Sequence, residues 1–264
     1  VTYRDGDAII GFGHPFFWNG ASSMPLTTVS IYDTMKSFEA SFKLGQLELA
    51  APGMLPLHLG LEFDDTLHRL EVQVWDDRVR ALDMGDAAAL WFSEFLQAEL
   101  RLVRFDPEAT RLASPRWTGE LRAPIEFVDG FPLLLASRAS LDELNARLGA
   151  AGHAAVGMER FRPNLVLDGV AAQDEDRLAE LRITTAEGQL VVLRPVKPCA
   201  RCPIPNVDPV SAEVGPEVLA TLSAYRANPV LDGAVTFGMN CVIVQGAGAT
   251  LRVGDAVAAE WRFD

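Results

Sequence analysis

Short apolar stretches recur along this chain between turn residues, and they predict β-strands, most firmly where apolar and polar residues alternate. The clearest case lies within residues 47–82, where Leu70, Val72 and Val74 alternate with polar or aromatic neighbours. Residues 1–45, interrupted by several glycines and prolines, are typical of short strands and turns. Further short strands are predicted at 164–167, 181–183, 190–193, 241–245 and 256–261.

A helical spacing of apolar residues appears in fewer places, and each has a residue suited to begin a helix. Asp86 can cap the first helix, Ser140 opens a capping box before the second, and Pro216 suits the first turn of the third. The three predicted helices cover about 86–97, 140–148 and about 216–226.

Many short strands with few helices favour a β-rich α+β fold containing barrel-like sheets. We find no internal repeat and no low-complexity linker in the 264 residues, so this length suits one large domain or two smaller ones.

Composition and charge narrow the function classes. The chain is 49% hydrophobic and 22% charged, as in ordinary globular proteins, and its net charge of −13 argues against a general binder of nucleic acid or anionic membranes. No apolar run reaches the roughly 18 residues of a membrane span, and no secretory signal is evident. Because three cysteines make no disulfide framework, we expect a reducing compartment and a cytoplasmic location.

Two of those cysteines lie in the run Lys197-Pro198-Cys199-Ala200-Arg201-Cys202. A thiolate suits a soft metal or sulfur chemistry, and an adjacent guanidinium stabilises a thiolate or holds an anion. A structural zinc site would need two more ligands, and a thioredoxin-like redox pair would need a helix that Pro203 and Pro205 disfavour. A pair of half-buried thiols in a loop is the third alternative, and the motif alone leaves all three open.

Basic residues gather around this run although the chain is strongly acidic. Arg160, Arg162, Arg194, Lys197 and Arg201 fall within 42 residues. Such arginines often only face solvent at the start of a strand, but they can also clamp an anion, and Asn164 adds an amide. A positive cluster in a negative protein indicates a specific small anionic ligand, such as a phosphorylated cofactor.

Eight ordered motifs together resemble the MOSC superfamily, in its branch containing the mitochondrial amidoxime-reducing component and its bacterial relatives. They lie at 127–132, 139–145, 160–164, 175–176, 199–209, 225–226, 237–240 and 253–255. Residues 47–125 also resemble the β-barrel domain that precedes MOSC in this branch. The resemblance therefore implies an N-terminal β-barrel-like domain over 1–125, with 1–45 atypical, and a MOSC β-barrel domain with a few helices over 126–264.

The resemblance implies a molybdenum–molybdopterin cofactor and assigns residues to it. Cys202 matches the molybdenum ligand and therefore the catalytic centre, whereas Cys199 matches a companion thiol that is not a ligand. The positions matching those that contact the pterin or phosphate, or that close on the cofactor, are Arg162, Asn164, Arg201, Asp129, Gly130, Phe131 and Asn240.

The activity implied by the resemblance is two-electron reduction of N-hydroxylated substrates such as amidoximes, hydroxylamines and N-hydroxylated bases. Since no further Cys-rich segment could hold an iron–sulfur cluster, a separate ferredoxin- or flavoprotein-type electron donor is expected, with no nucleic acid or membrane as partner. The alternatives are a non-catalytic carrier of sulfur or molybdenum cofactor, and an inert chimera.

The chimera alternative comes from residues 1–45, which lack the Tyr-Pro-x-Lys-Ser-type strand and the Asp-Arg pair of the family. They resemble instead the peptidase domain of a sporulation-type serine protease family, in which His14 would match the catalytic base. No matching serine-nucleophile motif follows, and a base without its nucleophile would be inert.

Overall fold

A computed structural model describes residues 28–36, 41–60 and 64–262, so His14 lies outside the described residues. The chain divides into two compact units. The first takes the described residues up to Arg111 together with Glu126–Asp129, and the second takes Leu112–Ile125 and the described residues from Gly130 onward.

The first unit contains two three-stranded antiparallel sheets, β1-β2-β3 and β4-β5-β6, and one helix. In chain order its elements are β1 (Thr28–Lys36), β2 (Ser41–Leu49), β3 (Leu57–Gly60), β4 (Arg69–Val74), β5 (Asp77–Asp83), α1 (Asp86–Leu96) and β6 (Val103–Phe105).

The helix and strand patterns read from the sequence of this unit are confirmed, with one change at the cap. Leu70, Val72 and Val74 form the half-buried face of β4. Trp91 of α1 packs with buried Leu49 and Leu59. The residue before the first turn of α1 is Gly85, at φ 90°, so Asp86 begins the helix rather than capping it from outside.

The second unit is built on a sheet with the strand order β10-β9-β14-β12-β11-β15. Its pairs are antiparallel except for β9 with β10. The remaining elements in chain order are β7 (Arg111–Leu112), α2 (Pro115–Thr118), β8 (Pro124–Ile125), β9 (Leu133–Ser137), α3 (Arg138–Ala150), β10 (Leu165–Leu167), β11 (Leu178–Thr184), β12 (Leu190–Ala200), α4 (Glu217–Ser223), β13 (Ala227–Asn228), β14 (Ala234–Gln245) and β15 (Ala256–Trp261).

Two apolar clusters hold this sheet in place. One contains Leu135, Leu181, Leu193 and Met239 from four neighbouring strands. The other joins α3 and α4 to the sheet, and its members are Ala136, Leu144, Leu148, Phe161, Val218, Leu222 and Phe237. The Phe161 and Phe237 rings stack with centroids 3.9 Å apart, so the segment before β10 is anchored to β14.

The β-rich α+β class with few helices is confirmed, and β15 has the predicted bounds. The predicted strands 190–193 and 241–245 were too short, because β12 runs on to Ala200 and β14 begins at Ala234. Register shifts in the β12–β14 pair interrupt the ladder beside Pro195 and Pro198, which lets a strand continue past residues that lack an N–H.

Two helix ends also differ from the prediction. The helix α3 begins at Arg138, and Ser137 caps it by accepting a hydrogen bond from the Ser140 backbone N–H, so the capping box expected at Ser140 was placed one turn too late. The helix α4 ends at Ser223, which leaves Arg226 beyond it. Within the described residues, no helix has the length and apolar character needed to cross a bilayer.

Candidate functional site

The cysteine motif lies where β12 leaves the sheet. Cys199 is the penultimate residue of this strand, and Cys202 follows two residues after its end. Both are free, half-buried thiols. Cys202 therefore lies in a loop, as one of the three alternatives had it, whereas Cys199 lies within β12, at the register shift between Pro198 and Ala200.

The Arg201 side chain binds on both sides of this turn. Its Nη1 donates to Cys199 Sγ at 3.2 Å, and its Nη2 donates to the backbone oxygen of Phe161 at 3.0 Å. Its Nε is buried and meets no hydrogen-bond acceptor among the described residues. A buried N–H donor without an acceptor is uncommon, and it is what a bound anion would satisfy.

The contact between Arg201 and Phe161 brings the motif at residues 160–164 next to the turn after β12. Phe161 is completely buried, and its ring lies 5.6 Å from the Arg201 guanidinium carbon. The next residue, half-buried Arg162, adopts a left-handed backbone with φ 56°, which is uncommon for a residue with a side chain. Arg201 therefore binds the backbone of the residue directly before Arg162.

Arg160 links two segments of the chain near the cysteine motif. Its Nη2 lies 2.8 Å from Asp208 Oδ2 and its Nη1 donates to the Pro205 backbone oxygen at 3.3 Å, with only 11% of the side chain exposed. The pair ties the segment before β10 to the loop after Cys202. Arg160 therefore fixes the backbone around the site and uses its charge on Asp208.

One row across the sheet brings further predicted residues together. Asn164 exchanges two hydrogen bonds with Leu134: its backbone N–H donates to the Leu134 oxygen at 2.9 Å, and its Oδ1 accepts from the Leu134 N–H at 2.8 Å. Leu134 in turn is the register partner of Asn240, and Asn240 is the partner of Lys197 on β12. Leu134, Asn240 and Lys197 thus form a row across β9, β14 and β12, and Asn164 joins this row from the position directly before β10.

Phe131 belongs to this region as well. Its ring centroid is 5.8 Å from Lys197 Nζ, and the Trp117 ring is 5.5 Å from the same nitrogen. Trp117, on α2, was not identified from the sequence, because nothing in its local pattern distinguishes it from a core aromatic. Only the fold places it beside β12.

Asp129 lies in the first unit and is held there by two contacts. Trp75 Nε1 donates to Asp129 Oδ1 at 3.3 Å, and Arg111 Nη2 donates to its backbone oxygen at 3.2 Å. Arg111, 6% exposed, also pairs with Asp77 at 2.7 Å. Gly130, the next residue, begins the part of the second unit that leads into Phe131 and β9.

A metal site made wholly of protein ligands finds no support here. Within the part of the chain that the structure describes, no three His, Cys, Asp or Glu side chains group so as to hold a metal ion. Cys241, the third thiol, is completely buried in the sheet core, and burial raises its pKa to about 12. The predicted site therefore offers one or two thiols beside guanidinium donors.

The sequence matches two family models, the MOSC domain over residues 122–258 and the MOSC N-terminal beta barrel domain over residues 26–99. The chain belongs to the MOSC domain family. The second match begins at residue 26, so it includes residues 26–45, which the motifs alone had placed in the segment unlike the family.

Curated relatives of this MOSC chain carry two kinds of name. Mitochondrial amidoxime reducing component 2 of Rattus norvegicus is 33% identical over 222 residues, covering 80% of this chain and 62% of that protein. The human mitochondrial amidoxime-reducing component 1 is 33% identical over 200 residues, 72% of this chain and 54% of that protein. The molybdenum cofactor sulfurase of Oryza sativa subsp. japonica is 32% identical over 195 residues, 69% of this chain but 21% of that protein.

Proposed function

We propose that this chain holds a molybdenum cofactor through Cys202 and reduces N-hydroxylated compounds. The observation that carries the proposal is the buried Arg201 Nε, which has no acceptor among the described residues and lies in the same turn as a half-buried thiol. The names of the amidoxime-reducing relatives support the substrate class. The chain spans less than two thirds of those relatives, so their activity is a hypothesis for this one.

The residues present fit such a cofactor. A soft thiolate from Cys202 suits molybdenum, and the remaining metal ligands would come from the cofactor, in keeping with the absence of a protein ligand cluster among the described residues. Arg201 and Arg162 would face its anionic groups. Asn164 has committed Oδ1 to Leu134, which leaves its Nδ2 group to donate.

The cofactor supplies the two-electron redox chemistry, and this chain's own residues bind, orient and shield it. In the overall reaction an amidoxime, two electrons and two protons give an amidine and water, with the N–O bond broken. For the electrons we propose a separate donor protein of the ferredoxin or flavoprotein type, because the three cysteines in this sequence are fewer than the four ligands of an ordinary iron–sulfur cluster.

The test is reduction of benzamidoxime to benzamidine by the purified chain with reduced methyl viologen as the electron source. We expect Cys202→Ser to lower the rate at least about a hundredfold, because it removes the metal ligand, and Cys199→Ser to retain most of it. Equal rates in the two variants would contradict the assignment of Cys202.

Molybdenum binding without reduction would also be informative, because one relative is named as a molybdenum cofactor sulfurase. A chain that binds molybdenum through Cys202 yet reduces neither benzamidoxime nor hydroxylamine would favour the cofactor-carrier alternative. A chain that binds no molybdenum at all would favour the inert alternative.

A further inference from the structure

Two cations in the second unit meet aromatic rings instead of carboxylates. Lys197 Nζ lies 5.5 Å from the Trp117 ring centroid and 5.8 Å from that of Phe131. The guanidinium carbon of Arg116 lies 5.4 Å from the same Trp117 ring. All three distances fall within the range of cation–π attraction.

The missing carboxylates are informative because the protein is so acidic. The chain has 36 Asp and Glu against 23 Lys and Arg, and most of the arginines that the structure describes pair with a carboxylate. Among the described residues, no carboxylate lies within ion-pair distance of Lys197 or Arg116. An ammonium has three donors, and ring faces accept poorly, so Lys197 retains the capacity to bind an anion.

Lys197 lies on the same strand as the first thiol of the cysteine motif. Lys197 precedes Cys199 by two residues on β12, which puts their Cα atoms within about 7 Å. It is also the register partner of Asn240. Trp117, Phe131 and Lys197 are all half-buried, so a ligand could reach the two rings and the ammonium together.

We infer that Trp117, Phe131 and Lys197 form a substrate subsite that selects planar aromatic N-hydroxylated compounds carrying an anionic substituent. The two rings provide apolar and stacking surface for the aromatic part. Lys197 binds the substituent, such as a carboxylate, and Arg116 adds positive potential. This inference rests on the proposed function and specifies its substrate class.

The test compares a carboxylated ligand with its neutral parent. Binding of para-carboxybenzamide and of benzamide, which carry no N–O bond, is measured by isothermal titration calorimetry on the purified protein. Steady-state kinetics with para-carboxybenzamidoxime and with benzamidoxime give the two Michaelis constants in parallel. Because binding does not require turnover, a failure of the proposed reaction leaves the calorimetric test of the subsite intact.

We expect Lys197→Gln to weaken the binding of para-carboxybenzamide about tenfold and to raise the Michaelis constant for the carboxylated amidoxime by a similar factor. The neutral ligands should change by less than about twofold, because they carry no anionic group for the ammonium to bind. Arg122→Gln is the matched control, since Arg122 is exposed in the same unit and has no ion pair among the described residues. Trp117→Leu should weaken both ligands several-fold through the lost ring surface.

Three results would overturn the inference. Wild-type protein could bind the carboxylated and neutral ligands equally. Lys197→Gln and Arg122→Gln could have the same effect on the binding of para-carboxybenzamide. Finally, Lys197→Gln could lower the molybdenum content of the protein, in which case the ammonium belongs to the cofactor cradle and not to a substrate subsite.

Discussion

Two polar regions of the second unit differ in the partners that their charged side chains find. Around Glu175, buried side chains bind one another: Glu175 Oε2 accepts from the Ser137 and Ser140 hydroxyls at 2.8 Å each, and Arg226 binds Asp176, Gln173 and the Thr236 backbone oxygen. Around Cys202, Arg201 donates to a thiol and to a backbone oxygen, and Lys197 meets two aromatic rings.

This difference separates scaffold from site. The Glu175 region joins α3, the segment 173–176 and β14, so its hydrogen bonds hold three parts of the fold in one arrangement. Burial raises the pKa of Asp176, and the nearby Arg226 opposes that rise. The end of β12 places its donors where a ligand can meet them. We therefore expect substitutions in the first region to change stability and those in the second to change binding.

The largest stability effect is expected for Glu175→Ala. It leaves two buried serine hydroxyls without their shared acceptor and opens a cavity, which should lower the free energy of unfolding by about 3 kcal/mol in a urea titration. Glu175→Gln keeps the size of the side chain and one acceptor oxygen, so it should lower the free energy of unfolding by clearly less than Glu175→Ala. If Glu175→Ala unfolds at the wild-type midpoint, the region is not a scaffold.

The next largest effect is expected for Gly238→Ala, on the strand that passes both regions. Gly238 has φ 76°, and an added Cβ would lie 2.5 Å from the Leu135 backbone oxygen. The backbone of β14 or β9 must move, at a cost of about 2 kcal/mol, measurable by thermal unfolding. Gly248→Ala, at φ 85° with open space around it, is the control that isolates the steric contribution.

A binding effect without a large stability effect is expected for Arg201→Gln. Loss of the guanidinium should weaken cofactor retention about tenfold, measured as molybdenum content after dialysis. The free energy of unfolding should fall by only about 1 kcal/mol, because one hydrogen bond to the Phe161 backbone oxygen is lost. Arg194→Gln, which removes a 43% exposed arginine paired with Glu180, is the control. Equal molybdenum loss in both variants would show a general charge effect.

The smallest effect concerns Glu143, at the edge of the scaffold region. Its hydrogen bond with Arg147 holds the pKa of Glu143 below the ordinary value of a glutamate. A carboxylate with a lowered pKa stabilises the fold above its unfolded-state pKa, and this contribution disappears as the pH falls through the folded-state value. Glu143→Gln should therefore destabilise by less than about 1 kcal/mol at pH 7.

The pH dependence supplies the check on this pair. The difference in unfolding free energy between wild type and Glu143→Gln should shrink towards zero as the pH falls below about 4. Asp142→Asn removes an exposed carboxylate from the same helix with no ion pair among the described residues, and it should show no such trend. A difference independent of pH would mean that the Arg147 contact contributes nothing.

The spacing of apolar residues in the sequence predicted the strands and helices that follow one regular spacing. It missed the features that depend on contacts between distant parts of the chain. The alternation in β4 follows from side-chain spacing, and the start of β15 follows from the turn residues Gly254 and Asp255 before it. The extension of β12 through Pro195 and Pro198 does not, because register shifts opposite β14 compensate for the missing N–H groups. The hydrogen bonds from the Ser137 and Ser140 hydroxyls to Glu175 were also missed, because Glu175 is distant in sequence.

The candidate site shows the same limit. The motifs identified four of the site residues, because each motif is a short contiguous stretch of sequence. These residues are Cys202, Arg201, Arg162 and Asn164. Their role at the site stays a prediction. The neighbours that give Arg201 its geometry, and Trp117 beside Lys197, come from distant parts of the chain and carry no sequence signal of their own.

The most direct test of the central claim is the molybdenum content of the purified protein, measured by mass spectrometry of the metal together with pterin fluorescence. We expect about one molybdenum per chain in wild type and in Cys199→Ser, and almost none in Cys202→Ser. Molybdenum retained by Cys202→Ser at the wild-type level, or absent from all three proteins, would contradict it.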